Sequence, residues 1–81
     1  MTLLEFNALD EAMQYLVVLE FGVFVAHRDV KKHTYVLYQV DNFYVEVGFI
    51  DEQKEVVSIA GFGDTNKLEP YLAKIELPFI V

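Results

Sequence analysis

The sequence predicts an α+β fold, a four-stranded antiparallel β-meander with an N-terminal helix and a short C-terminal helix, in the order α-β-β-β-β-α. Three observations carry this. Before Gly22, apolar residues recur at three- and four-residue steps, the spacing of one helix face. From Val23 onward the period falls to two and β-branched and aromatic residues crowd in, as on a pleated surface. Short polar segments separate four such runs, which suits hairpins and leaves no length for parallel crossovers.

The first helix is expected near Ala8 to Glu20. Asn7 is its expected N-cap, with Asp10 and Glu11 in the positive first turn. Leu9, Ala12, Met13, Leu16 and Glu20 form the stripe, and Val17, Val18 and Leu19 widen it. Gly22 suits a left-handed cap.

Strands are expected at Val23 to Arg28, His33 to Val40, Phe43 to Ile50 and Val56 to Phe62. Asp41 and Asn42 make a two-residue turn that pairs Val40 with Phe43, and this sets the whole central register. One face then carries Thr34, Val36, Tyr38 and Val40 against Phe43, Val45, Val47 and Phe49. That is the expected core, and a one-residue slip would dissolve it. The second face carries His33, Tyr35, Leu37 and Gln39 against Tyr44, Glu46, Gly48 and Ile50. Here the ring of Tyr35 is expected to lie over Gly48.

A four-residue loop at Asp29 to Lys32 places Phe24 and Ala26 on the second face, with Val23 and Val25 in the core. A four-residue loop at Asp51 to Lys54 sends Ser58 and Ala60 inward and leaves Val57 and Ile59 on the second face, and a bulge reverses that choice. Asp64, Thr65 and Asn66 offer caps for a second helix near Lys67 to Ile75, with Leu68, Leu72 and Ile75 on one side and Pro70 in its first turn. The apolar tail Leu77 to Val81 is expected to pack in extended form.

With 81 residues, the chain reads as a single domain, 1–81. A domain of this size buries only about 60% of its unfolded surface. It contains no cysteine, so packing or oligomerisation must supply what disulfides or a thiolate zinc site would have given. Hydrophobic residues make up 54% and the formal net charge is -7, too apolar for a disordered tail and too acidic to favour nucleic acid or anionic membrane. The longest apolar stretch, Tyr15 to Ala26, is interrupted by Glu20 and falls short of the roughly 20 residues of a membrane span. Met1 to Phe6 carries no positive charge, so no secretory signal is read there and a cytoplasmic location is expected.

No set of residues has the spacing of a known catalytic or metal site. Ser58 is the only serine, and neither histidine has a context that pairs it with a nucleophile. His27 and His33 point to opposite faces in this register, which opposes joint metal ligation. Gly61, Phe62 and Gly63 lack the remaining features of a phosphate-binding loop. No cofactor is expected, and enzymatic activity is the minority expectation.

The second face is too apolar to stand in water. A second copy of the chain, the C-terminal helix and tail, or another partner must cover it; a homodimer through this face is the leading expectation. The candidate interface is Phe24, Tyr35, Leu37, Gln39, Tyr44, Glu46 and Ile50. Glu46 needs Arg28, a tyrosine hydroxyl or water if it is buried. Arg28, Lys31, Lys32 and His33 gather at one hairpin tip as candidate contacts for an anion or partner. The function expected is a non-enzymatic protein–protein interaction module. The alternatives are a small-molecule binding domain or minimal enzyme with a groove near Tyr44, Glu46 and His33, and an acidic inhibitor or immunity-type protein for a basic partner.

Overall fold

Four eight-residue strands each pair antiparallel with the next along the chain, giving one sheet in the order β1-β2-β3-β4. The computed structural model describes residues 1–50, 55–63 and 71. Two helices, α1 (Leu3–Asn7) and α2 (Glu11–Phe21), precede β1 (Val23–Val30), β2 (His33–Val40), β3 (Phe43–Ile50) and β4 (Glu55–Phe62). Beyond the sheet, Tyr71 is helical. The architecture is α+β, mainly sheet with helices. Among the described residues, no helix is long and apolar enough to cross a membrane.

The N-terminal region holds two helices where the sequence suggested one. Thr2 and Glu5 form a capping box: Glu5 N–H donates to Thr2 Oγ1 (3.1 Å), and Thr2 N–H donates to Glu5 Oε1 (2.8 Å). This satisfies two of the free amides at the start of α1. Asn7 is the last residue of α1 rather than an N-cap. Asp10 caps α2 instead, accepting from Met13 N–H at 2.9 Å. Gln14, buried in the first turn of α2, donates through Nε2 to the Phe6 carbonyl (3.0 Å) and ties the two helices together.

Gly22 ends α2 in extended conformation (φ -73°, ψ 139°), not in the left-handed cap expected. The chain enters β1 at the next residue, which leaves no room for a reversal. Close approach is what requires glycine here: a Cβ would lie 2.5 Å from the Val18 carbonyl oxygen.

The central register is the expected one, with Val40 opposite Phe43, Tyr38 opposite Val45, Val36 opposite Val47 and Thr34 opposite Phe49. On this first face Val40, Phe43, Val45 and Val47 are buried with Phe6 of α1 and Val18 of α2. The Phe6 and Phe43 rings are 5.4 Å apart.

Both outer hairpins depart from the simple alternation, each for an identifiable reason. The β1–β2 turn uses only Lys31 and Lys32, so β1 runs to Val30 and pairs it with His33. A bulge at Val25 then compensates: Ala26 faces Leu37 on the second face as expected, but Phe24 falls opposite Tyr38 on the first face and Val23 opposite Gln39 on the second. Val23 and Phe24 are both exposed. In β4 the bulge reading holds. Val57 is the extra residue, Val56 and Ile59 turn to the core opposite Phe49 and Val47, and Ser58 and Ala60 face the second side opposite Gly48 and Glu46.

Gly61 and Phe62 lie inside β4, so they do not form a loop at a helix start. Gly61 sits opposite Val45 beneath α1, where a Cβ would stand 2.9 Å from the Phe6 ring and 3.0 Å from a Leu3 methyl. The expected residues 51–54 loop, second helix and C-terminal tail lie outside the described residues, Tyr71 excepted.

Two substitutions test this account by chemical denaturation. Lys31 holds φ at 56°, a region that costs an ordinary L-residue about 1–2 kcal/mol, and Lys31→Asn should raise stability by roughly 0.5–1 kcal/mol because asparagine tolerates it. Gly61→Val should destabilise by about 1–3 kcal/mol through overpacking against α1; an unchanged midpoint would show that α1 does not rest on β4.

Candidate functional site

Two places stand out: a polar cluster under the second face and the outward side of α2. The cluster begins with Glu46, placed by β3 opposite Leu37 of β2 and Ala60 of β4. Two strands away, Arg28 of β1 lies opposite Tyr35. The extension of β1 to Val30 thus removes Arg28 from the hairpin tip and puts it on the sheet. Arg28 Nη2 stands 3.6 Å from Glu46 Oε2, and its guanidinium carbon sits 4.5 Å above the Tyr35 ring.

Tyr71 closes the cluster from above. Its hydroxyl donates to Glu46 Oε2 at 2.7 Å, and its ring lies 5.5 Å from the Arg28 guanidinium carbon. Tyr71 is fully buried, with Ala26, Leu37 and Phe62 as its apolar partners. Burial and the hydrogen bond to Glu46 push its phenol pKa up, because the ionised form would sit in an apolar site beside a carboxylate; Arg28 opposes this less strongly. Arg28 Nε is buried without a hydrogen-bond partner among the described residues.

The other expected interface residues are distributed as the register requires. Tyr35, Leu37, Gln39, Tyr44, Glu46 and Ile50 share the second face, while Phe24 does not. Tyr35 covers Gly48, where a Cβ would approach its ring to 3.0 Å and collide with Ser58 Oγ. Tyr44 stacks on Phe62 and His33 on Tyr35, with centroids 6.0 and 6.1 Å apart. Tyr44, Glu46 and His33 are therefore each engaged with a neighbouring side chain. Lys31 and Lys32 remain exposed at the turn. His27 faces Val36 on the first side and His33 the second.

A cleft of about 230 Å³ lies on the first side, lined by Met1, Val17, Phe21, Val40 and Asp41. It is smaller than the usual range for ligand sites, roughly 300–1,000 Å³. Met1 N and Asp41 Oδ2 form a 2.7 Å ion pair at its edge.

The second place is α2. Gln14 and Val18 point into the protein, so the helix period turns Ala12, Met13, Leu16 and Leu19 outward. Met13, Leu16 and Leu19 are 46%, 54% and 61% exposed. A helix apolar on every side is normally covered on every side. The spacing in the sequence places Met13 and Leu16 in the apolar stripe of the first helix, and in the structure that stripe faces outward.

Tyr71 is the residue that sequence reasoning missed. It stands three positions after Leu68 and four before Ile75, so the helical pattern that singled out those two also includes it. No protein-family model, no curated protein and no solved structure matches the chain.

The cluster makes two predictions for Tyr71→Phe. Stability should fall by about 1.5–3 kcal/mol, the range for a hydrogen bond to a charged group. The raised phenol pKa contributes stability that is complete below the unfolded phenol value of about 10 and is lost as pH rises above it. The wild type should therefore lose stability above pH ~10 more steeply than Tyr71→Phe, and ultraviolet titration should show a late-ionising phenol that the variant lacks. Equal alkaline slopes would contradict the burial of the Tyr71 phenol beside Glu46.

Proposed function

We propose that the protein is a non-enzymatic protein–protein interaction module that docks through the outward face of α2. The observation that carries this reading is the exposed stripe of Met13, Leu16 and Leu19 on a helix whose opposite side already fills the core. Exposed apolar patches on soluble proteins mark interaction surfaces. Phe21, Val23 and Phe24, all more than half exposed, add apolar surface where α2 passes into the edge strand β1.

Self-association through the second face, the leading expectation from the sequence, has less surface to use. Leu37 is only 1% exposed and Tyr71 not at all, which supports the intramolecular cover weighed as its alternative. The minority reading of a groove or active site finds little support in side chains already paired with each other. A cytoplasmic location belongs to the same proposal.

The test is a double substitution, Leu16→Ser with Leu19→Ser, which leaves the buried side of α2 intact. At micromolar concentration the wild type should sediment above the monomer mass or retain a stoichiometric protein partner on capture, and the double variant should do neither while keeping its denaturation midpoint. Indistinguishable behaviour of the two proteins would remove the reading.

A further inference from the structure

β1 lies at one edge of the sheet, and among the described residues no strand pairs with its outer side. The helix α2 packs on β2 and β4 and leaves that edge clear. The two-residue turn at Lys31 and Lys32 makes Val30 and His33 a hydrogen-bonded pair. Such pairs alternate along an antiparallel ladder, so Arg28 and Ala26 also turn their backbone groups toward β2, while those of Asp29 and His27 point outward. An edge with outward backbone groups is a template for a further strand.

The usable stretch is short and symmetric. The bulge at Val25 ends regular pairing on one side and the turn ends it on the other, which leaves Ala26 to Val30 with Arg28 at the centre. A second copy laid antiparallel about a two-fold axis at Arg28 uses the whole stretch, and every other register shortens the ladder. This register sets His27 opposite Asp29 of the second copy on the first face, and Ala26 opposite Val30 of the second copy on the other. Imidazole meets carboxylate, and methyl meets isopropyl. His27 and Asp29 are also the residues with outward backbone groups, so each of their pairs exchanges two backbone hydrogen bonds.

Two upright arginines at the axis would repel each other. Arg28 instead leans inward: its guanidinium lies over Tyr35 and beside Glu46, two strands into the sheet. The ion pair with Glu46 thereby clears the axis, and Lys31 and Lys32 fall beyond the ladder.

We infer that β1 is a self-association edge, through which two copies join their sheets along Ala26 to Val30. This surface is separate from the α2 face and goes beyond the reading built on it. Five residues per copy fall below the size of a stable interface, so the pairing belongs to millimolar rather than micromolar concentration.

The Leu16→Ser/Leu19→Ser protein, with the α2 face disabled, isolates this edge. Backbone amide exchange is followed by NMR at micromolar and millimolar concentration. The amides of His27 and Asp29 should exchange several-fold more slowly at the higher concentration, while those of Arg28 and Val30, bonded within the copy, stay slow at both. His27→Pro removes an outward donor and no bond to β2, and should abolish the response of Asp29. His27→Asp sets carboxylate against carboxylate and should weaken the response several-fold; adding Asp29→His should restore it.

Exchange at His27 and Asp29 that ignores concentration overturns the inference. So does a rise in mass that leaves both amides fast, or a response that His27→Pro leaves intact. The α2 reading stands or falls separately, on capture and sedimentation at micromolar concentration.

Discussion

The β2–β3 ribbon is apolar on both sides, and the remainder of the molecule is arranged around covering it. Val40, Phe43, Val45 and Val47 project one way and Leu37 and Tyr44 the other. In a chain this short, a sheet with two such faces needs a layer on each side, because an uncovered face would forfeit much of the hydrophobic free energy that holds a small domain together. α1 and α2 provide the first layer. On the second side, Tyr71 seals Leu37.

Polar chemistry enters this arrangement where the second layer meets the sheet. Glu46 is flanked by Leu37 and Ala60, and a carboxylate so placed needs partners. It receives a hydroxyl from Tyr71 and the guanidinium of Arg28, which itself spreads over an aromatic ring. Breaking such a group by removing one member leaves the others partly desolvated, so the cluster also fixes how Tyr71 sits on the sheet. Its role is to orient Tyr71 over Leu37. Among the described residues the outward side of α2 has no comparable cover, and this asymmetry between a satisfied sheet and an exposed helix face is why the functional reading rests on α2.

Much of this was legible in the residues. The Asp41–Asn42 turn and the alternation on either side of it leave a single register that keeps like with like, and β2 and β3 adopt it throughout. Arg28 and a tyrosine hydroxyl were named as the groups able to satisfy Glu46, and both do. The N-terminal helices were less legible, since Asn7 and Asp10 are both good caps; the Thr2–Glu5 capping box, itself a recognisable pattern, decides between them by ending one helix at Asn7 and letting the next begin at Asp10.

Alternation and turn chemistry act between residues close along the chain, so the α+β class, the meander and the central register can be read from the residues. The bulges at Val25 and Val57, the faces taken by Phe24 and Ile59, and the burial of Tyr71 against Glu46 follow from packing between layers. A bulge shifts every later side chain by one face at little local cost, so its position is set by which face has space, and that depends on layers remote in sequence. The outward turn of Met13 and Leu16 has the same origin: a helix apolar on all sides can bury only one of them, and the shape of the sheet below chose Val18.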